Sequence, residues 1–223
     1  QNTVEDTLLY MERFGIDHNI VFTFNPGSDV EAGNRRVYMR TADHRDRFTP
    51  LAMLHARFPQ DWDHTLKEAE QAGARGIKLI SHYQKRNELS MDWSPAFEYA
   101  CDRGWVVLNH NWQSAERLQQ YAESFPSVTF IIGHFFEGSV HYIPLLEKCS
   151  NVYQCTCAYF ACAPAWSTEK MISSFPVDKI LFGSDQPDLD AGTAIGPLAY
   201  ADISEEDREA VLGRNALALM QRL

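Results

Sequence analysis

Val128-Thr129-Phe130-Ile131-Ile132-Gly133-His134 and Lys179-Ile180-Leu181-Phe182-Gly183-Ser184-Asp185 decide how the fold is read. Each is an apolar run without polar alternation. Each then passes through a glycine to a side chain that can bind a metal or carry a proton. A strand buried on both faces reads this way, and such strands belong to parallel sheets. Outward from these two, the same pattern recurs at residues 18–24, 48–54, 76–80, 105–110 and 151–158. Together with 128–134 and 179–185 this makes seven apolar runs.

Segments with helical spacing separate the runs. They are expected at 4–14, 63–72, 94–101, 114–124, 140–149, 167–174 and from Ser204 onward. Ser94 before Pro95 reads as an N-cap with proline in the first turn. Glu205, Glu206 and Asp207 suit the positive end of the last helix. Residues 25–47, with Pro26, Gly27, Gly33 and several charges, read as a long loop holding at most a short helix. No linker or composition shift appears, so residues 1–223 are expected to form a single domain. Strands alternating with helices imply βα units around a parallel sheet. The predicted class is α/β, a (β/α)8 TIM-type barrel, for which about 250 residues are usual and about 200 the lower limit. A closed barrel needs an eighth strand, and the first element here is a helix, so the first strand is expected to be missing from this chain. The alternative is an open doubly wound sheet of seven strands. That fold favours a Gly-x-Gly-x-x-Gly turn after an early strand, and the sequence has none.

Composition narrows the function. Of 223 residues, 45% are apolar and 22% charged, which is ordinary for a globular domain. The net charge of −10, with no run of Lys or Arg, argues against nucleic acid as a partner, because phosphate contacts need a basic face. No apolar run approaches the roughly 18–20 residues of a membrane span. No secretory signal opens the chain, so the expected location is cytoplasmic. Cysteines stand at 101, 149, 155, 157 and 162, an odd number in a large domain, and read as buried structural thiols.

The strand ends carry the chemistry. Trp105-Val106-Val107-Leu108-Asn109 leads to His110, and the two runs quoted first lead to His134 and Asp185. Lys78 lies on the run at 76–80. In a parallel barrel the C-terminal strand ends meet at one face, where active sites are built. Imidazole and carboxylate bind zinc-like divalent ions. Such an ion lowers the pKa of bound water to about 7 and yields hydroxide. A single histidine is more often a satisfied core residue, and Asp185 could instead cap a helix. Repetition at three strand ends outweighs both readings. His82, Tyr83 and Trp112 follow these ends closely and are candidate substrate contacts. Phe135, Phe136 and Glu137 could shape the pocket, and Asn25, His55, Tyr159 and Phe160 stand at other strand ends. Arg35, Arg36 and Arg40 read as a solvated charged segment.

Five blocks, in order, then carry a resemblance: Gly73-Ala74-Arg75-Gly76-Ile77-Lys78-Leu79, Val107-Leu108-Asn109-His110, Phe130-Ile131-Ile132-Gly133-His134, Asn151-Val152-Tyr153, and Ile180-Leu181-Phe182-Gly183-Ser184-Asp185-Gln186-Pro187. They resemble the amidohydrolase-2 branch of the amidohydrolase superfamily, which includes aminocarboxymuconate semialdehyde decarboxylase-like enzymes. Val211-Leu212-Gly213-Arg214-Asn215-Ala216 resembles that branch's closing helix. The resemblance implies a divalent metal, zinc first and manganese second, with His110 and Asp185 as ligands. His134 would be a ligand in a two-metal site or a catalytic histidine in a one-metal site. Asp185 would also be the general base, and Lys78 would orient substrate. The family's first-strand His-x-His pair has no counterpart here, and His18 begins a run and cannot replace it. The implied activity is hydrolysis of an amide, ester or lactone-like bond of a small molecule by metal-bound hydroxide. Non-oxidative decarboxylation of an aromatic or muconate-like acid and a non-catalytic ligand-binding barrel are the alternatives. Pairing of copies into a homo-oligomer is expected by analogy.

Overall fold

A computed structural model describes residues 3–24, 27, 29–157 and 166–222. The chain forms two compact units, Gln1–Leu108 and Asn109–Leu223.

The first unit opens on helix α1, Val4–Phe14. Thr3 caps it: its hydroxyl accepts from the Asp6 amide at 3.1 Å while Asp6 accepts from the Thr3 amide at 2.9 Å, a reciprocal capping box. Gly15, at φ +65°, ends the helix in the left-handed turn that glycine adopts without penalty. Strand β1, Asn19–Val21, pairs in parallel with β2, Phe48–Pro50. Strand β3, Ala52–Met53, pairs in parallel with β4, Gly76–Leu79, placing Met53 beside Lys78. The expected run 48–54 is thus divided at Leu51, whose amide turns back to the Val21 carbonyl at 2.8 Å. Helices α3, Trp62–Gln71, and α4, Ser94–Cys101, complete the βα alternation.

Two expectations in this unit change. Residues 25–47 are not chiefly loop: Val30–Thr41 is a three-turn helix, α2. Its buried positions Val30, Gly33, Asn34, Tyr38 and Thr41 follow helical spacing, and its charges lie between them. Gly33 breaks the apolar stripe in the sequence, but a Cβ there would meet the Thr23 hydroxyl at 2.6 Å. Asn34 is buried and pinned: Nδ2 donates to the Met53 carbonyl at 2.9 Å, and Oδ1 accepts from the Met53 amide at 3.0 Å. Ser94, in turn, is the first helical residue of α4 and not its cap. The preceding Asp92 carboxylate accepts the Ser94 amide at 3.0 Å and does that work.

In the second unit β6, Thr129–Ile132, pairs in parallel with β7, Val152–Cys155, and β7 with β8, Ile180–Leu181. Strand β5, Val106–Asn109, ends at the division between units, and its last carbonyl accepts from the Gly133 amide at 2.8 Å. Helices α5, Ala115–Ser124, α6, Ile143–Lys148, and α7, Ser167–Ser174, lie between the strands. The expected helix at 140–149 is shorter, because residues 137–142 form a 3₁₀ turn first. Helix α8, Ala191–Tyr200, was not expected. Asp190 caps it through the Gly192 amide at 2.7 Å. After Ser204, helix α9, Glu205–Glu209, passes through a π turn into α10, Asn215–Met220. Asn215 ties this end to β8 by donating to the Val177 and Ile180 carbonyls at 2.7 and 2.9 Å.

Among the described helices none is long and apolar enough to cross a membrane. Asn25, Tyr159, Phe160 and Cys162 lie outside the described residues.

Candidate metal and acid–base centre

The strands of the second unit stop short of their expected ends. His110, His134 and Asp185 follow strand ends but stand in turns, half-buried. His134 and Asp185 both adopt left-handed backbone, at φ +58° and +61°. For residues with a Cβ this conformation costs about 1–2 kcal/mol, and it persists where surrounding contacts enforce it.

Those contacts are visible. Gln154, fully buried on β7, donates from Nε2 to the carbonyls of Ile132, His134 and Cys155 at 3.2, 2.8 and 2.9 Å. The amide after His134, that of Phe135, donates to the Cys157 carbonyl at 3.2 Å. On the other side, Thr156 Oγ1 accepts from the Gly183 amide at 3.1 Å. Gly183 has no room for a Cβ, because the Cys155 sulfur occupies that space. Thr156 and Cys157, just past β7, and the buried Gln154 amide therefore hold the turns that follow β6 and β8.

The turns bring four side chains together. His134 Nε2 lies 2.8 Å from His110 Nδ1, and the rings meet edge-on with centroids 4.1 Å apart. The other His134 nitrogen, Nδ1, lies 3.3 Å from Cys157 Sγ. One ligand atom from each of His134, Cys157 and Asp185 fits within 4.8 Å of the others. The Cys157 thiol is pushed above its usual pKa by its hydrogen bond to Cys155, then by burial, and further by the Asp185 carboxylate. Imidazole, thiol and carboxylate are the donor types that zinc and similar divalent ions take, so the residues present fit such an ion. Asp185 does not cap α8, since Asp190 holds that place.

The remaining expected residues fall elsewhere. Trp112, expected near the substrate, is 1% exposed and packs into the core. Its Nε1 donates to the Ile131 carbonyl at 3.3 Å, and its ring packs edge-on to Phe130 at 5.7 Å. Phe135 is likewise buried, against Phe175, while Phe136 is exposed. Lys78, His82 and Tyr83 stand together in the first unit. Lys78 is buried with its ammonium 4.6 Å from the Phe22 ring centre. His82 and Tyr83 are exposed, with ring centres 4.2 Å apart, and Phe24 meets Tyr83 edge-on at 5.2 Å. Burial, and then the Lys78 charge, lower the His82 pKa. Arg35 binds Glu68 at 2.5 Å on the surface, as a solvated charged segment would. Cys157 is the buried thiol that was expected, and its place beside His134 and Asp185 was not foreseen. The legible signal was its position just past β7, between strands that are followed by His134 and Asp185.

A parallel α/β chain whose strand ends converge on imidazoles and a carboxylate defines a class, the metal-dependent enzymes built on TIM-type barrels. The chain belongs to the amidohydrolase family: the Amidohydro_2 family model matches residues 3–221. It is similar to an uncharacterised TIM-barrel protein from Bordetella bronchiseptica, with a TM-score of 0.82, 18% identity, and 99% of this chain and 83% of that one covered. It is similar to 2,6-dihydroxybenzoate decarboxylase from Rhizobium, with a TM-score of 0.71, 17% identity, and coverage of 99% and 88%. It is also similar to a manganese complex of 5-carboxyvanillate decarboxylase from Novosphingobium aromaticivorans, with a TM-score of 0.75, 14% identity, and coverage of 96% and 79%. No curated protein sequence matches the chain. The fold is accordingly the expected TIM-type α/β barrel, and the chain is an enzyme of the amidohydrolase superfamily.

Proposed function

We propose that this chain, acting as one catalytic domain, hydrolyses an amide, ester or lactone-like bond of a small molecule with the help of a divalent metal. The observation that supports this reading is the meeting of His110, His134 and Asp185 in the second unit, two of them on enforced left-handed backbone. His110, His134 and Asp185 are the residues that would hold the ion, with the Cys157 thiol beside His134 and Asp185. When bound, it would supply a Lewis acid and an activated water. Asp185 would take the proton of the attacking water and return it to the leaving group. His134, 2.8 Å from His110, would stabilise the developing oxyanion. Lys78, His82 and Tyr83 enter as substrate contacts, since a buried ammonium beside exposed rings suits an anionic or planar group. Zinc is the first candidate ion and manganese the second. A cytoplasmic protein that associates with its own copies completes the reading.

A second reading is non-oxidative decarboxylation. It draws on the same imidazole pair, which could protonate a carbanion, and on the decarboxylases among the similar structures. One experiment separates the two. Chelator-treated protein, reloaded with Zn²⁺ or Mn²⁺, is given a panel of amides, esters and lactones beside aromatic and muconate-like acids. Acid formation without carbon dioxide supports hydrolysis. Carbon dioxide release supports the second reading. Turnover of neither class by metal-loaded protein overturns both in favour of a binding barrel.

A further inference from the structure

Gly133 directly precedes His134, and Gly183 stands two residues before Asp185. We propose that both glycines are positioning residues of the centre. Gly133 sets the approach of His110 to His134, and Gly183 sets that of Asp185 to His134 and Cys157. The proposal rests on the metal dependence argued above, but not on which reaction the enzyme performs.

The left-handed residues of these turns are His134 and Asp185, not the glycines, so what each glycine supplies is space. A Cβ on Gly133 would lie 2.6 Å from the Asn109 carbonyl oxygen and 3.2 Å from the His110 Cα. Overpacking of this kind is relieved by backbone shifts. The backbone that must yield belongs to His110 itself, whose ring meets His134 at 2.8 Å. The Gly133 amide also donates to that same Asn109 carbonyl at 2.8 Å. The bond that draws the two strand ends together and the clash that would part them thus act on one atom. At Gly183 the obstacle is different in kind. An added Cβ would collide with Cys155 Sγ and lie 3.2 Å from Cys157 Cβ. The Gly183 amide donates to Thr156 Oγ1 at 3.1 Å, which holds it against the segment that carries Cys157. A carbonyl cannot be trimmed by mutation, but the Cys155 sulfur can. Gly76, which opens β4, is as crowded as either, by the Val106 carbonyl and side chain and by Leu51. None of its neighbours is a candidate ligand, so it separates plain overpacking from positioning.

The test uses the whole chain and two readouts. One is Zn²⁺ affinity by competition with a chromophoric chelator. The other is the imidazole nitrogen-15 spectrum of metal-free protein, which reports the His110–His134 contact. Gly133→Ala is expected to weaken Zn²⁺ binding by about 10–100-fold, the range for groups that orient ligands, and to remove the hydrogen-bond signature of that contact. Gly183→Ala is expected to weaken binding comparably, and adding Cys155→Ala is expected to restore it by vacating the space. Gly76→Ala is expected to lower Tm and leave both readouts unchanged. A Gly133→Ala protein that loses Tm alone overturns the role of Gly133. A loss in Gly183→Ala that Cys155→Ala does not restore overturns the role of Gly183. Equal weakening by Gly76→Ala overturns both, because the site would then follow overall stability. Should Gly133→Ala not fold, the Gly183 and Cys155 variants decide. Failure of wild-type protein to bind Zn²⁺ overturns the metal reading, and the imidazole spectra of metal-free protein then test Gly133 by themselves.

Discussion

The end of β4 and the ends of β6, β7 and β8 are both crowded with polar side chains, yet they spend them differently. After β4, in the first unit, each buried polar group is answered by a structural partner. Glu88, 2% exposed, accepts from the Ser81 hydroxyl at 2.5 Å and the Trp93 indole at 2.7 Å. Gln84 donates to the Leu54 carbonyl at 3.1 Å and accepts from the Ala56 amide at 2.7 Å. In the second unit, His110, His134, Cys157 and Asp185 turn toward one another, and two of them hold a costly backbone conformation to do so. A satisfied network rigidifies a turn. A cluster of proton carriers and metal donors facing one another marks a place for chemistry.

That contrast can be broken or sharpened by substitution. The largest effect is expected at Asp185. Asp185→Asn should lower kcat by about 10²–10⁴-fold, the range for a general acid–base group, while circular dichroism shows an intact fold. Retained turnover would return Asp185 to a structural role. Glu88→Ala should do the opposite, costing roughly 3 kcal/mol in urea unfolding by stranding two buried donors while leaving turnover per folded molecule unchanged. Gln154→Leu sits between the regions in kind: about 1–3 kcal/mol should be lost as three carbonyls lose a donor, and kcat should fall because His134 is no longer held. An unchanged kcat at reduced stability would show that the left-handed turn needs no clamp. Trp112→Phe should cost about 1 kcal/mol in Tm-derived stability, with KM unaltered. A raised KM would place Trp112 at the pocket wall. The smallest effect is a titration. Lys78→Met removes a positive charge near His82, so its protonated form is less disfavoured and its pKa should rise partway toward the ordinary value in an NMR titration. In the wild-type protein the depressed His82 pKa means that its contribution to stability is present above the unfolded pKa. It is lost as pH falls through the folded one.

Much of this was legible in residues alone. The seven apolar runs and the helices at α1, α3, α4, α5 and α7 followed from periodicity and capping chemistry, both of which are local. His110, His134 and Asp185 were legible as strand-end groups because each follows an apolar run through a short turn. Helix α2 was not, since its apolar stripe is broken by Gly33, a residue required by the approach of Thr23. The burial of Trp112 was not legible either, because proximity in sequence to His110 says nothing about which side of the turn its ring takes. Residues after a strand fold back into the core as readily as they face its mouth.

The sequence by itself determined the alternation of strand and helix, the parallel class, and the identity of three groups able to bind metal or move protons. Those follow from hydrophobic period and residue chemistry, which are written along the chain. Only the tertiary structure decided that His134 faces His110 with one nitrogen and Cys157 with the other, and that Asp185 shares their space. That pairing depends on left-handed turns held by Gln154 and Thr156 across neighbouring strands. Contacts between residues so far apart in sequence have no period for a linear reading to detect.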